Sequence, residues 1–399
     1  MKRIALLGLC VTFSLAYFLY LSTYRAATFT ESLEAPKKRA HHRYRGITHI
    51  HSLESTGSES QAYIIQVAKD MGFDFIFFTE VNPREQKPSA PYYSEDLLVI
   101  PGGEYTYMDS RILQYNVSAK NPPETRGQSQ IYFADRMSQR LSDEEGFIAL
   151  AHPLLRNHAW SGDLPKGMDA IEVVNLKRMI EASWTSRKFS FVLSSLLFPI
   201  SPQLALINLY QNPDEEFALL DRAQAERSIT GMFGSDATAK AIIFGNTHLK
   251  IPSYEQTFAV GSNYVLLKSE LTGNSDQDAK KIISALKHGN SFMAFDLLGR
   301  PDEFSAAYVK GRKNYMIGEK IARKAGDRIV VDMPSTPVVY EVTLLRDGVH
   351  EAFLHSRPGE FEITRPGIYR VVVRFLLELP LPFGKKWMPW IYTNSFFVE

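Results

Sequence analysis

Two histidines separated by one residue are the first sign of chemistry in this sequence. His49 and His51 stand at the end of an apolar run that begins at Gly46. On a β-strand, residues i and i+2 point to the same face, so both imidazoles can reach one metal ion. Paired strand histidines also occur for structural reasons, and the pair alone does not decide between these interpretations.

Three further candidate ligands follow later apolar runs. Glu104 comes after a proline and two glycines, His152 comes directly after a run that ends in alanine, and Asp236 follows the last run. Imidazoles and carboxylates around an open coordination position are typical of a catalytic site for zinc, manganese or iron. The predicted metal ligands are therefore His49, His51, Glu104, His152 and Asp236.

Seven short apolar runs must position these side chains, and they are separated by segments of helical length. The runs cover residues 46–50, 73–78, 97–101, 112–117, 147–151, 170–174 and 229–233. Near-continuous apolar runs predict parallel strands covered by helices, and this many units favours a barrel-like α/β domain over an open sheet. We assign this domain to residues 46–302, with the candidate ligands at the carboxyl ends of its strands.

The motifs resemble, in their order along the chain, the polymerase and histidinol phosphatase (PHP) family. They read ITHIHSLESTG, GFDFIFFTEVN, VIPGGEYT, ALAHP, DAIEVVN and MFGSDAT. The resemblance implies a distorted seven-stranded (β/α)7 barrel that holds up to three metal ions and hydrolyses, most commonly, phosphoesters. The late segments RPGIYRVVVR and PWIYTNSFFV are similar to the β-sandwich that ends a secreted or membrane-linked branch of this family.

The departures from the family pattern fall together. Thr56, Val81 and Thr238 match positions that in the family belong largely to one ion, so the resemblance implies that this ion is lost. All ligands of the first ion in the family are present in this sequence. A second ion would share one of these ligands and bind one further histidine. In this sequence the first set is His49, His51, Glu104 and Asp236, and the second shares Glu104 with His152. We expect one or two divalent ions.

Arg111 and Glu80 are the predicted catalytic side chains. Arg111 loosely matches a family histidine of the second ion; it cannot bind a metal, but it can hold a phosphate oxygen. Glu80 can act as an outer-sphere base or as a ligand, and Glu172 is expected to orient a neighbouring ligand. Candidates for phosphate contact, each of which could equally be a solvated surface residue, are Asn175, Lys177, Arg178 and Lys240.

The first residues favour a membrane anchor. Lys2 and Arg3 precede an uncharged apolar run over residues 4–21, which as a helix would be roughly 27 Å long, near the thickness of a bilayer core. We predict a single transmembrane anchor over residues 1–25 and a linker over residues 26–45, with the rest of the chain outside the cytoplasm, in the periplasm. A cleaved signal peptide is the alternative.

Two later apolar segments leave alternatives open. Residues 189–210 are interrupted by Pro199 and Pro202, and they form either a helical hairpin packed in the core or a membrane-dipping, lid-like insertion. Residues 376–390 lie within a predicted antiparallel β-sandwich over residues 303–399. They could contact lipid headgroups or cover the barrel.

The composition excludes some classes of function. The 399-residue chain has a formal net charge of +1, so nucleic acid is not an expected partner. Its single cysteine, Cys10, lies in the N-terminal run, so the folded part has no thiol chemistry. The leading hypothesis is a membrane-anchored metal-dependent phosphoesterase acting on a small phosphorylated substrate. The alternatives are a catalytically inactive PHP-like pseudoenzyme that binds a ligand or partner, and a lipid-headgroup hydrolase.

Overall fold

The computed structural model describes residues 2–26, 41–83, 90–116, 125–138, 140–142, 145–244, 247–355 and 358–399, so most of the predicted linker, residues 27–40, lies outside the described residues. The helices are α1 (Lys2–Thr23), α2 (Gln61–Asp70), α3 (Arg126–Arg136), α4 (Leu176–Ser186), α5 (Lys188–Leu197), α6 (Pro202–Leu209), α7 (Asp214–Glu226), α8 (Tyr254–Phe258) and α9 (Ser275–Lys287). The strands are β1 (His42–Ile50), β2 (Phe75–Val81), β3 (Tyr92–Ser94), β4 (Leu97–Tyr107), β5 (Ser110–Tyr115), β6 (Phe147–Ala151), β7 (Ala170–Asn175), β8 (Thr230–Gly234), β9 (Ala241–Phe244), β10 (Thr247–Leu249), β11 (Ser262–Leu267), β12 (Ser291–Ala294), β13 (Ser305–Lys310), β14 (Lys313–Tyr315), β15 (Lys320–Ile321), β16 (Arg328–Asp332), β17 (Tyr340–Arg346), β18 (Val349–Leu354), β19 (Gly359–Glu362), β20 (Gly367–Leu379), β21 (Gly384–Thr393) and β22 (Phe396–Val398).

One large sheet carries the candidate site. Its strand order is β15-β22-β20-β21-β12-β11-β1-β2-β4-β5-β6-β7-β8. Within it β1, β2 and β4 pair in parallel, and so do β6, β7 and β8. The predicted α/β class with parallel strands is therefore confirmed.

The parallel strands are buried on both faces. Phe75 and Phe77 of β2 pack in an apolar cluster that includes Ile282 of α9. Their neighbours Ile76 and Phe78 point the other way and pack with residues of α2. Alternate side chains thus meet two different cores, which explains why the run is apolar without interruption.

The fourth predicted run does not form a parallel strand. Only Met108 and Asp109 separate β4 from β5, and a link this short allows only an antiparallel pair. β5 runs antiparallel to both β4 and β6, so the prediction of a parallel βα unit was wrong here. Because β5 is reversed, its first residues, which include Arg111, lie beside the end of β6. Glu104 of β4 lies at the same edge of the sheet.

The two outer strands of this region meet at the same edge. The backbone N–H of His51 donates to the carbonyl of Ala237 at 3.0 Å, and the N–H of Ala237 donates to the carbonyl of His49 at 3.2 Å. The N–H of Ser235 donates to the carbonyl of Thr48 at 3.1 Å. These bonds bring the end of β8 onto the end of β1, although the two strands lie far apart in the strand order.

The C-terminal part is β-rich and antiparallel. Strands β14, β13, β16 and β19 form a separate four-stranded sheet, whereas β20, β21 and β22 extend the large sheet through the pairing of β21 with β12. The large sheet therefore continues across the predicted boundary at residues 302 and 303. Asp347 and Gly348, with φ of 52° and 77°, form the hairpin turn between β17 and β18.

The apolar segment over residues 189–210 forms the helices α5 and α6. α6 is buried along nearly its whole length, whereas α5 exposes Phe189, Val192 and Leu196. The side-chain amide of Asn208 donates to the hydroxyl of Ser194 at 2.8 Å and joins the two helices. The segment is therefore a helical hairpin with one buried and one partly exposed member.

The N-terminal apolar run forms α1. The hydroxyl of Tyr24, just beyond this helix, donates to the carbonyl of Glu378 at 3.3 Å, and Leu21 packs against the main apolar cluster. Within the part of the chain that the structure describes, no helix is both long and apolar enough to cross a membrane. The transmembrane anchor over residues 1–25 stays a prediction.

Candidate metal centre

The five predicted metal ligands converge at one edge of the large sheet. His49 and His51 lie at the end of β1, Glu104 lies in β4, His152 directly follows β6, and Asp236 follows β8. All five side chains are buried. Four segments that are distant in sequence thus bring imidazoles and carboxylates into one cluster.

The two imidazole nitrogens of His49 and His51 each lie close to the same two carboxylate oxygens. Nε2 of His51 lies 3.3 Å from Oε2 of Glu104 and 3.6 Å from Oδ1 of Asp236. Nε2 of His49 lies 3.8 Å from each of the same two oxygens. Four tetrahedral ligands bound at about 2.0–2.2 Å are separated by about 3.3–3.6 Å, so only a small contraction is needed around an ion.

The second oxygen of Glu104 faces other residues. Oε1 lies 3.6 Å from Nε2 of His152 and 3.8 Å from Nε of Arg111. Nη1 of Arg111 also donates to the hydroxyl of Thr106 at 2.8 Å. His49, Glu104 and His152 offer a second group of close ligand atoms, but a guanidinium shares the space beside it.

Glu172 orients two of the candidate ligands. Its Oε1 lies 2.8 Å from Nδ1 of His49, and its Oε2 accepts from the backbone N–H of His152 at 3.0 Å and from the amide of Asn175 at 3.1 Å. When Nδ1 of His49 donates to this carboxylate, Nε2 is left with a lone pair for an ion. A Cβ at Gly234 would lie only 2.0 Å from Oε1 of Glu172, so only glycine fits opposite this carboxylate.

Three candidate ligands have a strained backbone. The φ angles of His49, His152 and Asp236 are 62°, 28° and 46°. Left-handed backbone is uncommon outside glycine and costs about 1–2 kcal/mol per residue. The hydroxyl of Ser235 donates to the carbonyl of His49 at 2.7 Å and helps to hold this geometry. Strain of this kind concentrates at functional sites, where it aims side chains at a common point.

The charges of the cluster favour a cation. Burial lowers the pKa of His49, but the carboxylates of Glu172 and Asp236 outweigh burial and hold the pKa well above its ordinary value. Burial raises the pKa of Glu104, but the imidazoles of His152 and His49 hold it well below its ordinary value. Nε2 of His49 and Oδ2 of Asp236 are buried and have no hydrogen-bond partner among the described residues. A divalent ion would take the place of the proton on His49 and contact ionised carboxylates, so these residues fit a metal.

The predicted phosphate-contact residues lie in different surroundings. Nζ of Lys177, at the start of α4, lies 3.6 Å from Oδ2 of Asp236, and its side chain is 59% exposed. Asn175 caps α4 by accepting from the backbone N–H of Arg178 at 3.1 Å. The guanidinium of Arg178 pairs with Glu216 at 3.2 Å rather than with a carboxylate of the cluster. Lys240 is exposed. Lys177 is therefore the predicted contact residue that faces the cluster.

Glu80 serves the loop after β1. Its two carboxylate oxygens accept from the backbone N–H of Ser52, at 3.0 and 3.1 Å, and from the hydroxyl of Ser55. Glu80 belongs to neither group of close ligand atoms found among the described residues. The carboxylate thus fixes the segment that directly follows His51.

One histidine beside the site has no signal in the sequence pattern. The ring of His158 lies 5.8 Å from the ring of His152, centroid to centroid. Burial lowers the pKa of His158, and the charge of Arg111 lowers it further. His158 lies in the loop after β6, six residues beyond His152, where neither strand nor helix periodicity could single it out.

The chain has no match among known families or curated proteins by sequence. Among solved structures it is similar to a two-domain protein from Bacteroides vulgatus ATCC 8482 that contains a predicted PHP-like metal-dependent phosphoesterase. The identity is 15%, the alignment covers 90% of this chain and 98% of the other, and the TM-score is 0.40. A likeness at this TM-score carries no functional argument, so the site geometry carries the conclusion.

Proposed function

We propose that this protein is a metal-dependent phosphoesterase with a PHP-type site. The observation that carries the proposal is that the Nε2 atoms of His49 and His51 each lie 3.3–3.8 Å from one oxygen of Glu104 and one oxygen of Asp236. This mixture of nitrogen and oxygen donors suits zinc, manganese or iron. A divalent ion bound there supplies a water of lowered pKa and a Lewis acid for the ester.

Two cationic side chains flank the cluster and fit a phosphate. Arg111 lies beside Glu104, and Lys177 lies beside Asp236. In this proposal the guanidinium of Arg111 holds two phosphate oxygens, and the ammonium of Lys177 contributes a point charge. Without these cations the carboxylates of the cluster would repel a phosphoester.

We propose that the site takes one ion. A second ion would share Oε1 of Glu104 with His152, but the guanidinium of Arg111 lies 3.8 Å from this oxygen. The fixed positive charge of Arg111 would then take over part of the role of a second ion. One ion also agrees with the joint absence of ligands at Thr56, Val81 and Thr238.

We also propose a fold, a substrate class and a location for this protein. In the proposal, strands β1 to β8 form a PHP-type barrel whose ends meet at the bridge between Ile50 and Ala237, and a β-sandwich follows. The proposed substrate is a small phosphorylated molecule or a lipid headgroup. The proposed location is a membrane surface outside the cytoplasm, which protease accessibility in intact cells can test.

Metal content and turnover together test the activity. Purified protein supplied with zinc or manganese should retain metal and hydrolyse members of a phosphoester panel, and His51→Ala should lose both properties. His350→Ala, an exposed histidine on β18, is the matched control and should retain both. Protein that stays metal-free would overturn the proposal. Metal binding without any turnover that depends on His51 would instead favour the ligand-binding pseudoenzyme.

A further inference from the structure

Large apolar side chains outside the metal centre are exposed on α5 and on the turn between β20 and β21. Phe189, Val192 and Leu196 project from α5, and Leu381 projects from the turn between β20 and β21. Phe189 is 81% exposed and Leu381 is 77% exposed. We call these four residues, with Trp184 of α4, the apolar face. Clustered exposed apolar side chains mark a surface that contacts a partner.

Buried polar contacts hold the parts of the apolar face together. Nζ of Lys386 on β21 donates to the carbonyls of Ile207 and Tyr210, at 2.6 and 2.7 Å, at the end of α6. Asn208 of α6 is in turn bonded to Ser194 of α5. The β20–β21 hairpin, α6 and α5 are thus fixed to one another, although their sequences lie far apart.

The helix α1 continues the apolar face. The hydroxyl of Tyr17 in α1 donates to the carbonyl of Leu381, at the tip of the hairpin. Among the side chains of this helix that the structure describes, seven large apolar ones have at least half of their surface exposed: Leu9, Val11, Phe13, Leu15, Phe18, Leu19 and Tyr20. A protein partner would cover one stripe of such a helix, whereas lipid can contact all of it.

Aromatic and basic residues border the apolar face. Trp184 of the face lies near the ammonium of Lys188, 6.0 Å from its ring centroid. Arg187, at the junction of α4 and α5, is also exposed. Tryptophans and basic side chains around an apolar patch are typical of a lipid–water interface with anionic headgroups.

We propose that the apolar face lies on a lipid bilayer that contains anionic lipid. Its apolar side chains enter the acyl boundary, and the basic residues contact headgroup phosphates. Trp184 and Lys177 stand on the same helix, seven residues and therefore roughly 10 Å apart along its axis, so the metal centre lies close to the bilayer surface. The proposal concerns binding to lipid and does not depend on catalysis.

The tryptophans provide a test in the full chain. The protein has four, Trp160, Trp184, Trp387 and Trp390, and the last is fully buried. Vesicles of phosphatidylcholine and phosphatidylglycerol with brominated acyl chains should quench the emission of the wild type. Trp184→Phe should lose most of this quenching, and Trp160→Phe should retain it. Absence of quenching, or full quenching in Trp184→Phe, would overturn the proposal even if α1 binds the vesicles.

A charge substitution provides the second test. Phe189→Glu/Leu381→Glu should lower the affinity for the same vesicles roughly tenfold or more, because two large apolar side chains no longer enter the lipid. Val349→Glu/Phe353→Glu is the matched control, since both residues are exposed on β18, outside the apolar face. Equal loss of affinity in the two double variants would contradict the proposal, because general charge repulsion would then explain the effect.

Discussion

Replacing Arg111 with histidine tests whether a guanidinium stands where a second ion would bind. Arg111 of β5 lies between Thr106 of β4 and Ala151 of β6, one residue before His152. Its Nε lies 3.8 Å from the oxygen of Glu104 that also faces His152. An imidazole at this position would complete a set of three protein ligands in place of a fixed positive charge.

The size of the effect follows from the charges. At about 4 Å and an effective dielectric constant of about 20, two unit charges interact by about 4 kcal/mol, and a divalent ion doubles that value. The side chain of Arg111 is 21% exposed, so solvent screening weakens the repulsion. A residual repulsion of about 2 kcal/mol would still weaken binding of a second ion about 30-fold. The wild type should therefore hold about one ion per chain at moderate metal concentrations.

The assay is metal content after equilibrium dialysis against zinc or manganese. Arg111→His should bind about two ions, and Arg111→Lys, which retains the charge, about one. In the Arg111→His background, the further change His152→Ala should return the content to about one ion. A wild type that binds two ions with similar affinity would refute the reasoning. So would a folded Arg111→His variant, checked by circular dichroism, that gains no second ion.

Three further outcomes are expected. Glu172→Gln should weaken metal binding about 10–100-fold in a competition titration, because a neutral amide replaces the charged carboxylate that orients His49 and His152, and Gly234→Ala should act in the same direction by displacing Glu172. Burial lowers the pKa of His49, but the carboxylates of Glu172 and Asp236 outweigh burial and raise it, so a proton must leave His49 before the ion binds. Metal affinity should therefore rise with pH, by up to about tenfold per pH unit below the pKa of His49. Lys177→Met should raise KM for a phosphoester several-fold without changing metal content, whereas Lys240→Met should leave both unchanged.

Each of these expectations can fail clearly. Unchanged metal affinity in Glu172→Gln would mean that the contact between Glu172 and His49 has no effect on the ion. Metal affinity that is flat or falls between about pH 6 and 8 would contradict the raised pKa of His49. Equal effects of the Lys177 and Lys240 variants on KM would remove the argument that proximity to Asp236 matters.

Local patterns made much of the fold predictable. All seven apolar runs appear as strands, and six of them, all except the run over residues 97–101, end within three residues of the predicted end. The direction of the fourth run was wrong, because strand direction depends on which neighbour the chain pairs with, and apolar periodicity does not record it. The two-residue link between β4 and β5 indicates that β5 is antiparallel to β4, because it is too short for the crossover that a parallel pair needs.

The sequence by itself determined the donor atoms of this protein. The residue types at His49, His51, Glu104, His152 and Asp236 limit the site to imidazole and carboxylate ligands, and the lack of thiols in the folded part excludes thiolate ligands there. Only the tertiary structure decided which oxygen of Glu104 faces which neighbour, because this depends on the closure of β8 onto β1 and on the reversal of β5. It also decided that Lys177, and not Arg178, faces the cluster: adjacent residues on a helix point about 100° apart, and a carboxylate on α7 holds the second of the two.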